Sequence, residues 1–364
     1  MARLGQDFII GIVVGIAASA IMGSAYFYND SLSHTTSHLP VSKHTNREIN
    51  KGLDIIMSDL TKINSRLENG ENSQRDDESV AQKLHKNVRI LSWVMTGPKN
   101  LKTRAIHVKN TWGKRANKIL FFSSETNDDF PTVGLNTSEG REHLTAKSMQ
   151  GFRYVYEHHR NDFDWFMKAD DDTYVIMENL RYFLSDKNSS APVFYGFMMA
   201  HAVKQGYYSG GAGYVLSKEA LRRLATRGKD PNICRQDGND EDMEIGRCLE
   251  RLGVKTSNPS DRFGRSRFHC FQPEKHLFGK VPAWYPKWDI NKGNTGPDSI
   301  SNYAISFHYV PGEKMLTLDF LIYHIRAYGI RYGNLNLNVQ NATEDLSNVC
   351  TDCKDKGTKS GGNI

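Results

Sequence analysis

Apolar runs with the character of buried strands alternate with helix-like segments in this sequence. "VRILSWVMTG" from Val88 and "KILFFSS" from Lys118 are strand-like, and "RAIHVKNTW" between them has helical spacing. Residues 141–159 are again helix-like and lead to the apolar run "DWFMKA" from Asp164. The order strand, helix, strand, helix, strand is typical of a mostly parallel central sheet with helices on both faces. We therefore predict an α/β fold.

Three consecutive carboxylates, Asp170 to Asp172, follow the last of these runs. Adjacent like charges raise each other's pKa, so the triplet needs a positive partner. It falls at the carboxyl end of a predicted strand, where open α/β sheets bind ligands. Mg²⁺ and Mn²⁺ bind through one or two carboxylates, and Asp170 and Asp172 are alternate side chains that can point the same way. We predict a divalent metal there; the alternative is a solvated turn.

His308 and a glycine-rich turn are further candidates. His308 lies in "ISFHYV", a predicted strand, and it is either a nitrogen ligand for the metal or a hydrogen-bonded core residue. Gly210, Gly211 and Gly213 would let the backbone approach a sugar, or they simply form a tight turn before a helix that starts near Ser217.

Glu241 and Asp242 begin a predicted helix that starts near Asp240. In the structural interpretation their charge offsets the helix dipole, which is worth about 0.3–1 kcal/mol. In a transferase, one of the two carboxylates would instead act as a general base and accept the proton of an attacking hydroxyl.

The N-terminal region has a candidate membrane span. The 21 residues from Phe8 to Tyr28 contain no charge and no proline, which is enough to cross a bilayer as a helix. We predict a retained signal anchor rather than a cleaved signal peptide. The positive-inside rule then leaves residues 1–7 in the cytosol and the body of the chain in the lumen. Four glycosylation triplets agree with this: Asn29, Asn136, Asn188 and Asn341.

Residues 29–84 are polar, and we predict that they form a luminal stem. Apolar residues in the stem alternate steps of four and three, as in a heptad seam: Ile49, Leu53, Ile56, Leu60, Ile63 and Leu67. This segment is either a self-associating helix or an amphipathic helix that lies on the catalytic body. Residues 334–364 are polar, and we predict a disordered tail.

Charge and cysteines narrow the class of protein. The net charge is +6, but Lys and Arg are scattered, so nucleic-acid binding has little support. In an oxidising lumen, a bridge from Cys234 to Cys248 would pin a loop to the helix that follows it. The odd count leaves one thiol over, for which Cys270 is our candidate. Cys350 and Cys353 either pair in the tail or stay free.

Several motifs occur in one order and spacing: "VMTGP", "HVKNTW", "WFMKADDDTYVI", "GYYSGGAGYVLSKEAL", "EDMEIGRCLE" and "SFHYV". Together they resemble the core 1 β1,3-galactosyltransferase family over about Lys86 to Tyr332. The resemblance implies a GT-A catalytic domain at 85–333, shared with the fringe-like β1,3-glycosyltransferases, behind a type II Golgi membrane anchor at 8–28. It also implies Mn²⁺-dependent, inverting transfer of galactose from UDP-galactose to GalNAc on Ser or Thr of a glycoprotein. A homodimer and a dedicated chaperone are further expectations.

The same resemblance implies roles for individual residues. Asp170, Asp172 and His308 match metal ligands, and Asp171 would lie beside the ribose or the phosphates. The remaining roles are Thr96 and Lys168 beside the uridine, Gly210 and Gly211 at the donor, Asp242 and then Glu241 as the base, Trp284, Tyr285 and Tyr208 at the acceptor sugar, and Cys234 with Cys248 as a disulfide. Trp284 and Tyr285 would equally suit an ordinary surface loop.

The chain also departs from the family pattern. Family cysteines expected near Ser92, Ala116 and residues 299–301 are absent, so two typical disulfides are missing. The loop "KVPAWYPKWDINKGNTGPDS" differs from the commonest sequence of this loop in the family, which makes acceptor choice less certain than donor use. The alternatives are a fringe-like or other β1,3-glycosyltransferase with a different donor or acceptor, and a non-catalytic relative like the family's chaperone, which lacks the acidic triplet.

Overall fold

The computed structural model of the protein describes residues 78–325. Its strands are β1 (Ile90–Met95), β2 (Lys118–Ser123), β3 (Thr132–Gly134), β4 (Trp165–Asp170), β5 (Tyr174–Val175), β6 (Phe194–Gly196), β7 (Met198–Met199), β8 (Tyr207–Tyr208), β9 (Tyr214–Ser217), β10 (Phe268–His269) and β11 (Ser306–Phe307). Its helices are α1 (Ser79–Asn87), α2 (Ile106–Asn110), α3 (Leu144–His159), α4 (Met177–Leu184), α5 (Lys218–Arg227), α6 (Glu241–Arg251), α7 (Pro273–Leu277), α8 (Tyr285–Trp288) and α9 (Gly312–Tyr323).

A central sheet has six strands in the order β3-β2-β1-β4-β9-β6. β1 pairs in parallel with β2 and β4, and β2 pairs in parallel with β3. β9 runs antiparallel to both of its neighbours, β4 and β6. The predicted mostly parallel sheet is therefore confirmed. β9 was not predicted from the sequence. It is a run of only four residues between the glycine-rich turn and α5, which is too short to show a clear strand pattern.

Residues of β1 point alternately to two cores, one on each side of the sheet. Ile90 and Val94 belong to one core, together with Leu180 of α4. Leu91 belongs to the other core, together with Phe152 of α3. Helices therefore cover both faces, as predicted, and the ligand site has to lie at the edge where the strands end.

A second sheet has three short strands in the order β10-β11-β5. β11 pairs antiparallel with β5, which follows directly on the acidic triplet. Next to this pair, the Val310 N–H donates to the carbonyl oxygen of Asp172 at 2.9 Å. His308 lies just past β11, so its placement inside a strand was wrong. The chain turns there, with Tyr309 at a φ of 55°.

The predicted disulfide between Cys234 and Cys248 is confirmed, with the two Cα atoms 4.8 Å apart. It ties the loop before α6 to the middle of that helix. Cys270 is a buried free thiol, in agreement with the prediction. Cys350 and Cys353 lie outside the described residues.

Several predictions fall on parts of the chain that the structure does not describe. These are the anchor at 8–28, the stem heptads at 49–67, the tail at 334–364, and the glycosylation triplets at Asn29 and Asn341. Within residues 78–325, no helix combines the length and apolarity needed to cross a membrane. Asn136 and Asn188 are both exposed.

Candidate active site

A cleft of about 600 Å³ lies at the carboxyl ends of β1 and β4. Its lining includes most of the predicted site residues: Thr96, Lys168, Asp170, Asp171, Asp172, Gly210, Gly211, Glu241, Asp242, Trp284 and His308. The structure therefore brings residues from distant parts of the sequence to the place where an open α/β sheet binds its ligand.

Asp170, Asp172 and His308 form a cluster in the lining of this cleft. Each offers one ligand atom, and the three atoms lie within 4.8 Å of one another. Nε2 of His308 is 3.1 Å from Oδ1 of Asp172. Burial would raise the pKa of Asp172, but the hydrogen bond and charge of His308, helped by Arg104, hold that pKa below its usual value. Two carboxylates and an imidazole are a donor set that suits a borderline divalent ion such as Mn²⁺.

Gly211 shapes one wall of this cluster. A Cβ atom added at Gly211 would lie 1.9 Å from Cε1 of His308. The imidazole ring therefore occupies the space that any larger residue at position 211 would need, and the absence of a side chain is what lets the ring reach Asp172.

Asp171, the middle carboxylate, faces a different set of partners. Its Oδ2 accepts hydrogen bonds from Thr96 Oγ1 at 2.8 Å and Asn100 Nδ2 at 2.9 Å. Burial, together with the charges of Asp170 and Asp172, raises its pKa despite these bonds. Asp171 thus ties the triplet to the end of β1, and the triplet divides into two outer carboxylates that could hold a metal and one inner carboxylate that supports them.

Lys168 is a positive partner of the triplet. Its side chain is 2% exposed, and Nζ donates to Asp170 Oδ1 at 2.6 Å and to the carbonyl oxygen of Gly210 at 3.3 Å. Nζ also lies 3.4 Å from Oε2 of Glu241. Burial opposes the charge, but Asp170 and Glu241 outweigh it and raise the pKa of Lys168. The ammonium group therefore links the start of α6 to the candidate metal corner, the name used below for Asp170, Asp172 and His308.

The two carboxylates that begin α6 are held differently. Glu241 is buried, and its Oε1 accepts hydrogen bonds from Ser148 Oγ at 2.6 Å and from the Tyr214 hydroxyl at 2.7 Å. Asp242 accepts the Gly210 N–H at 3.1 Å through Oδ2. Burial and the charge of Glu241 raise the pKa of Asp242 to about 6. Asp242 can therefore change protonation near neutral pH, while Glu241 serves as an anchor.

Comparison with known proteins identifies the family. The family described as Fringe-like matches residues 86–269. A Xenopus laevis protein, glycoprotein-N-acetylgalactosamine 3-beta-galactosyltransferase 1, is 46% identical over 261 residues, which cover 71% of this chain and 72% of the relative. The chain belongs to this fringe-like galactosyltransferase family. The resemblance found in the sequence is confirmed, and the protein is a member of a family of glycosyltransferase enzymes.

More distant relatives of this galactosyltransferase family member match over shorter regions. A mouse beta-1,3-glucosyltransferase is 34% identical over 193 residues, or 50% of this chain and 37% of the relative. Human chondroitin sulfate synthase 3 is 30% identical over 182 residues, or 44% of this chain and 20% of the relative. The chain thus spans only a minor part of these two larger proteins.

On the acceptor side, the structure corrects two predictions about this family member. Trp284 is 44% exposed and lines the cleft, so its acceptor role stays a prediction. Tyr285 is buried and its ring stacks on Phe197, with the centroids 5.7 Å apart. Tyr208 is buried and its hydroxyl donates to the carbonyl oxygen of Ser257. Tyr208 and Tyr285 therefore cannot stack on an acceptor sugar, because their rings are packed inside the protein.

Other cleft residues of this family member were missed in the sequence. Arg104 approaches both Asp171 and Asp172, at 3.4 and 3.5 Å, from the π-helical turn Leu101–Ala105. Tyr309 stacks on His308 with the ring centroids 3.9 Å apart. The signal that could have found Arg104 is a basic residue in the segment directly after β1. Nothing in the sequence marks Tyr309 beyond its position next to His308.

Proposed function

We propose that the protein transfers galactose from UDP-galactose to the 3-hydroxyl of GalNAc on Ser or Thr of glycoproteins, with inversion and with Mn²⁺. The observation that carries the proposal is the convergence of Asp170, Asp172, His308 and Asp242 in one cleft. It is supported by 46% identity to a relative with this activity in its name. A GT-A fold is part of the same proposal.

Asp170, Asp172 and His308 are the residues that would hold the metal. A bound divalent ion supplies positive charge where the departing diphosphate becomes more negative. The chain's own contribution is to keep this corner preorganised. Lys168 holds Asp170, and the Val310 N–H holds the backbone of Asp172. Fixed charges of this kind need no rearrangement when the bond breaks.

Asp242 is the proposed general base. It would take the proton of the acceptor hydroxyl as that oxygen attacks the sugar carbon. The Gly210 N–H fixes one of its oxygens, and its pKa of about 6 leaves it ionised at neutral pH. Trp284 is exposed at the cleft, and its ring would stack on the acceptor sugar.

The cellular setting belongs to the same proposal. The apolar segment at 8–28 supports a type II anchor with the catalytic domain in the Golgi lumen. The heptad spacing at 49–67 supports self-association of the stem, and a homodimer is proposed on the family resemblance alone. A dedicated chaperone is proposed on the family resemblance alone.

The test is a transfer assay with the purified protein, UDP-galactose and a GalNAc-bearing peptide, with Mn²⁺ or with a chelator. Transfer should occur only with the metal. Asp172→Asn should lose both UDP affinity and turnover, whereas Asp242→Asn should keep UDP–Mn²⁺ binding and lose transfer by about 10²–10⁴-fold. Equal activity in chelator would overturn the metal assignment, and loss of UDP binding in Asp242→Asn would mean that Asp242 is structural.

A different donor or acceptor is the second candidate. It is favoured by the match of the same region to a beta-1,3-glucosyltransferase and a chondroitin sulfate synthase. A panel of UDP-sugars and acceptor glycans separates the two candidates. A non-catalytic, chaperone-like function is less well supported, since the metal cluster and Asp242 are all present in the cleft.

A further inference from the structure

Tyr309 has a backbone conformation that an aromatic residue rarely adopts. Its φ of 55° lies in the left-handed region, where a side chain costs energy and glycine is the usual residue. Hydrogen bonds fix the residues on both sides of it. The His308 N–H donates to the carbonyl oxygen of His269 at 3.1 Å. The Val310 N–H donates to the carbonyl oxygen of Asp172 at 2.9 Å. The surrounding bonds therefore hold Tyr309 in this conformation.

The left-handed turn places the Tyr309 ring on its neighbour His308. In an extended strand, successive side chains point to opposite faces, so the rings of adjacent residues cannot stack on each other. Here the ring centroids of His308 and Tyr309 are 3.9 Å apart and the ring planes are inclined by 25°. The Tyr309 ring is also nearly parallel to the ring of Phe271, with the centroids 6.0 Å apart. The strained conformation is therefore what brings the tyrosine ring to the imidazole.

The imidazole of His308 has different contacts at its edge and at its face. At the edge, Nε2 is 3.1 Å from Oδ1 of Asp172. The Cβ atom that Gly211 lacks would lie 1.9 Å from Cε1 and 2.3 Å from both ring nitrogens, so it would stand over the ring face. Gly211 therefore leaves the room in which the ring lies. A bond at the edge still lets the ring tilt, and the flat surface of Tyr309 restricts that tilt.

We propose that Tyr309 is a positioning residue whose stacked ring keeps the imidazole of His308 turned toward Asp170 and Asp172. This inference rests on the proposed function, in which those three residues hold the metal. An imidazole ligand usually has its orientation fixed by a hydrogen bond at its second ring nitrogen. Within residues 78–325, no protein group forms such a bond with Nδ1 of His308. The ring of Tyr309 supplies the missing restraint through packing.

The experiment measures Mn²⁺ affinity of the full-length protein with saturating UDP, from the paramagnetic resonance signal of the free ion. Tyr309→Ala should weaken Mn²⁺ binding by about tenfold, the lower end of the range for residues that support a metal ligand. Tyr309→Phe should keep the affinity, because it keeps the ring face. In a His308→Ala background, Tyr309→Ala should have no further effect. The matched control is Tyr303→Ala, which removes an exposed tyrosine that stacks on Tyr182 outside the cleft lining.

Denaturant unfolding tests the backbone strain separately. Tyr309→Ala and Tyr309→Gly both lose the ring, but only glycine adopts a positive φ without a steric cost. Tyr309→Gly should therefore unfold at a higher denaturant concentration than Tyr309→Ala, although the two bind Mn²⁺ equally weakly. An alanine variant at least as stable as the glycine variant would contradict the strained placement of the ring.

The outcomes separate this inference from the proposed function. Mn²⁺ affinity within twofold of the unchanged protein in Tyr309→Ala would overturn the inference. So would a loss in Tyr309→Phe as large as in Tyr309→Ala, because the hydroxyl rather than the ring face would then matter. A loss that persists in the His308→Ala background would show that Tyr309 does not act through the imidazole. If the unchanged protein binds no Mn²⁺, or His308→Ala binds it equally well, the proposed metal assignment itself fails.

Discussion

Replacing Gly211 by alanine tests the metal corner most directly. A methyl group at this position would lie 1.9 Å from Cε1 of His308 and 2.3 Å from both ring nitrogens. Non-bonded carbon atoms settle about 3.5–4.0 Å apart, so the ring has to move by roughly 1.5–2 Å. The backbone itself accepts alanine, because Gly211 is not one of the glycines with positive φ.

The size of this movement sets the expected effect. Protein metal sites tolerate changes of only about 0.2 Å in ligand distance, so the displaced His308 would no longer reach the proposed ion. Disturbing the residues that support a metal ligand costs about 10–100-fold in affinity. We expect Gly211→Ala to weaken Mn²⁺ binding by about 100-fold, the upper end of this range, which corresponds to about 2.7 kcal/mol of binding free energy.

The assay is Mn²⁺ titration in the presence of UDP for Gly211→Ala, His308→Ala and the double variant. If glycine acts only by leaving room for the ring, the double variant should bind Mn²⁺ about as weakly as His308→Ala, because neighbouring residues that act through one group are not additive. Two additive losses, or Mn²⁺ affinity within twofold of the unchanged protein in Gly211→Ala, would refute the placement of His308 as a ligand.

Three further predictions follow from the site and its support. Transfer should fall below about pH 6 in the profile of kcat/KM, because Asp242 has its pKa raised to about 6 and must be deprotonated to act as a base; an acid limb near pH 4 would show that Asp242 is not the titrating group. Replacing both Cys234 and Cys248 by alanine should lower the free energy of unfolding by about 3 kcal/mol, as expected for a bridge that closes a loop of this length; denaturant unfolding measures the change, and an unchanged midpoint would contradict it. Trp284→Ala should raise KM for the acceptor peptide, whereas Tyr285→Phe should leave it unchanged and lower stability by about 1 kcal/mol; steady-state kinetics that reverse this order would contradict the placement of the two rings.

The acidic part of the candidate metal corner was predictable because its residue types and its location at a strand end are both visible in the sequence. Asp170 and Asp172 follow an apolar strand, and the strand end is where the fold binds ligands. That the middle carboxylate has different partners from the two outer ones was not predictable. Asp171 turns toward Thr96 and Asn100 because of how the segment after β1 folds, and nothing local in the sequence determines that segment's path.

The choice between neighbouring residues was the least predictable part. Glu241 and Asp242 are consecutive in a helix, about 100° apart around its axis, so one faces Ser148 and Tyr214 while the other faces Gly210. The same holds for Trp284 and Tyr285, of which only the first reaches the cleft. Sequence locates such a pair, but the packing of the surrounding elements decides which member is exposed.

The pairing of β5 with β11 has a consequence for synthesis on the ribosome. Asp170 and Asp172 are made long before His308, and the strand that positions His308 pairs with the segment next to them. Domains fold as their chain emerges, N-terminal part first. A nascent chain that stops short of β11 therefore has its acidic residues without their imidazole partner. In the proposed function, tight ion binding by this corner would therefore require that synthesis has passed β11.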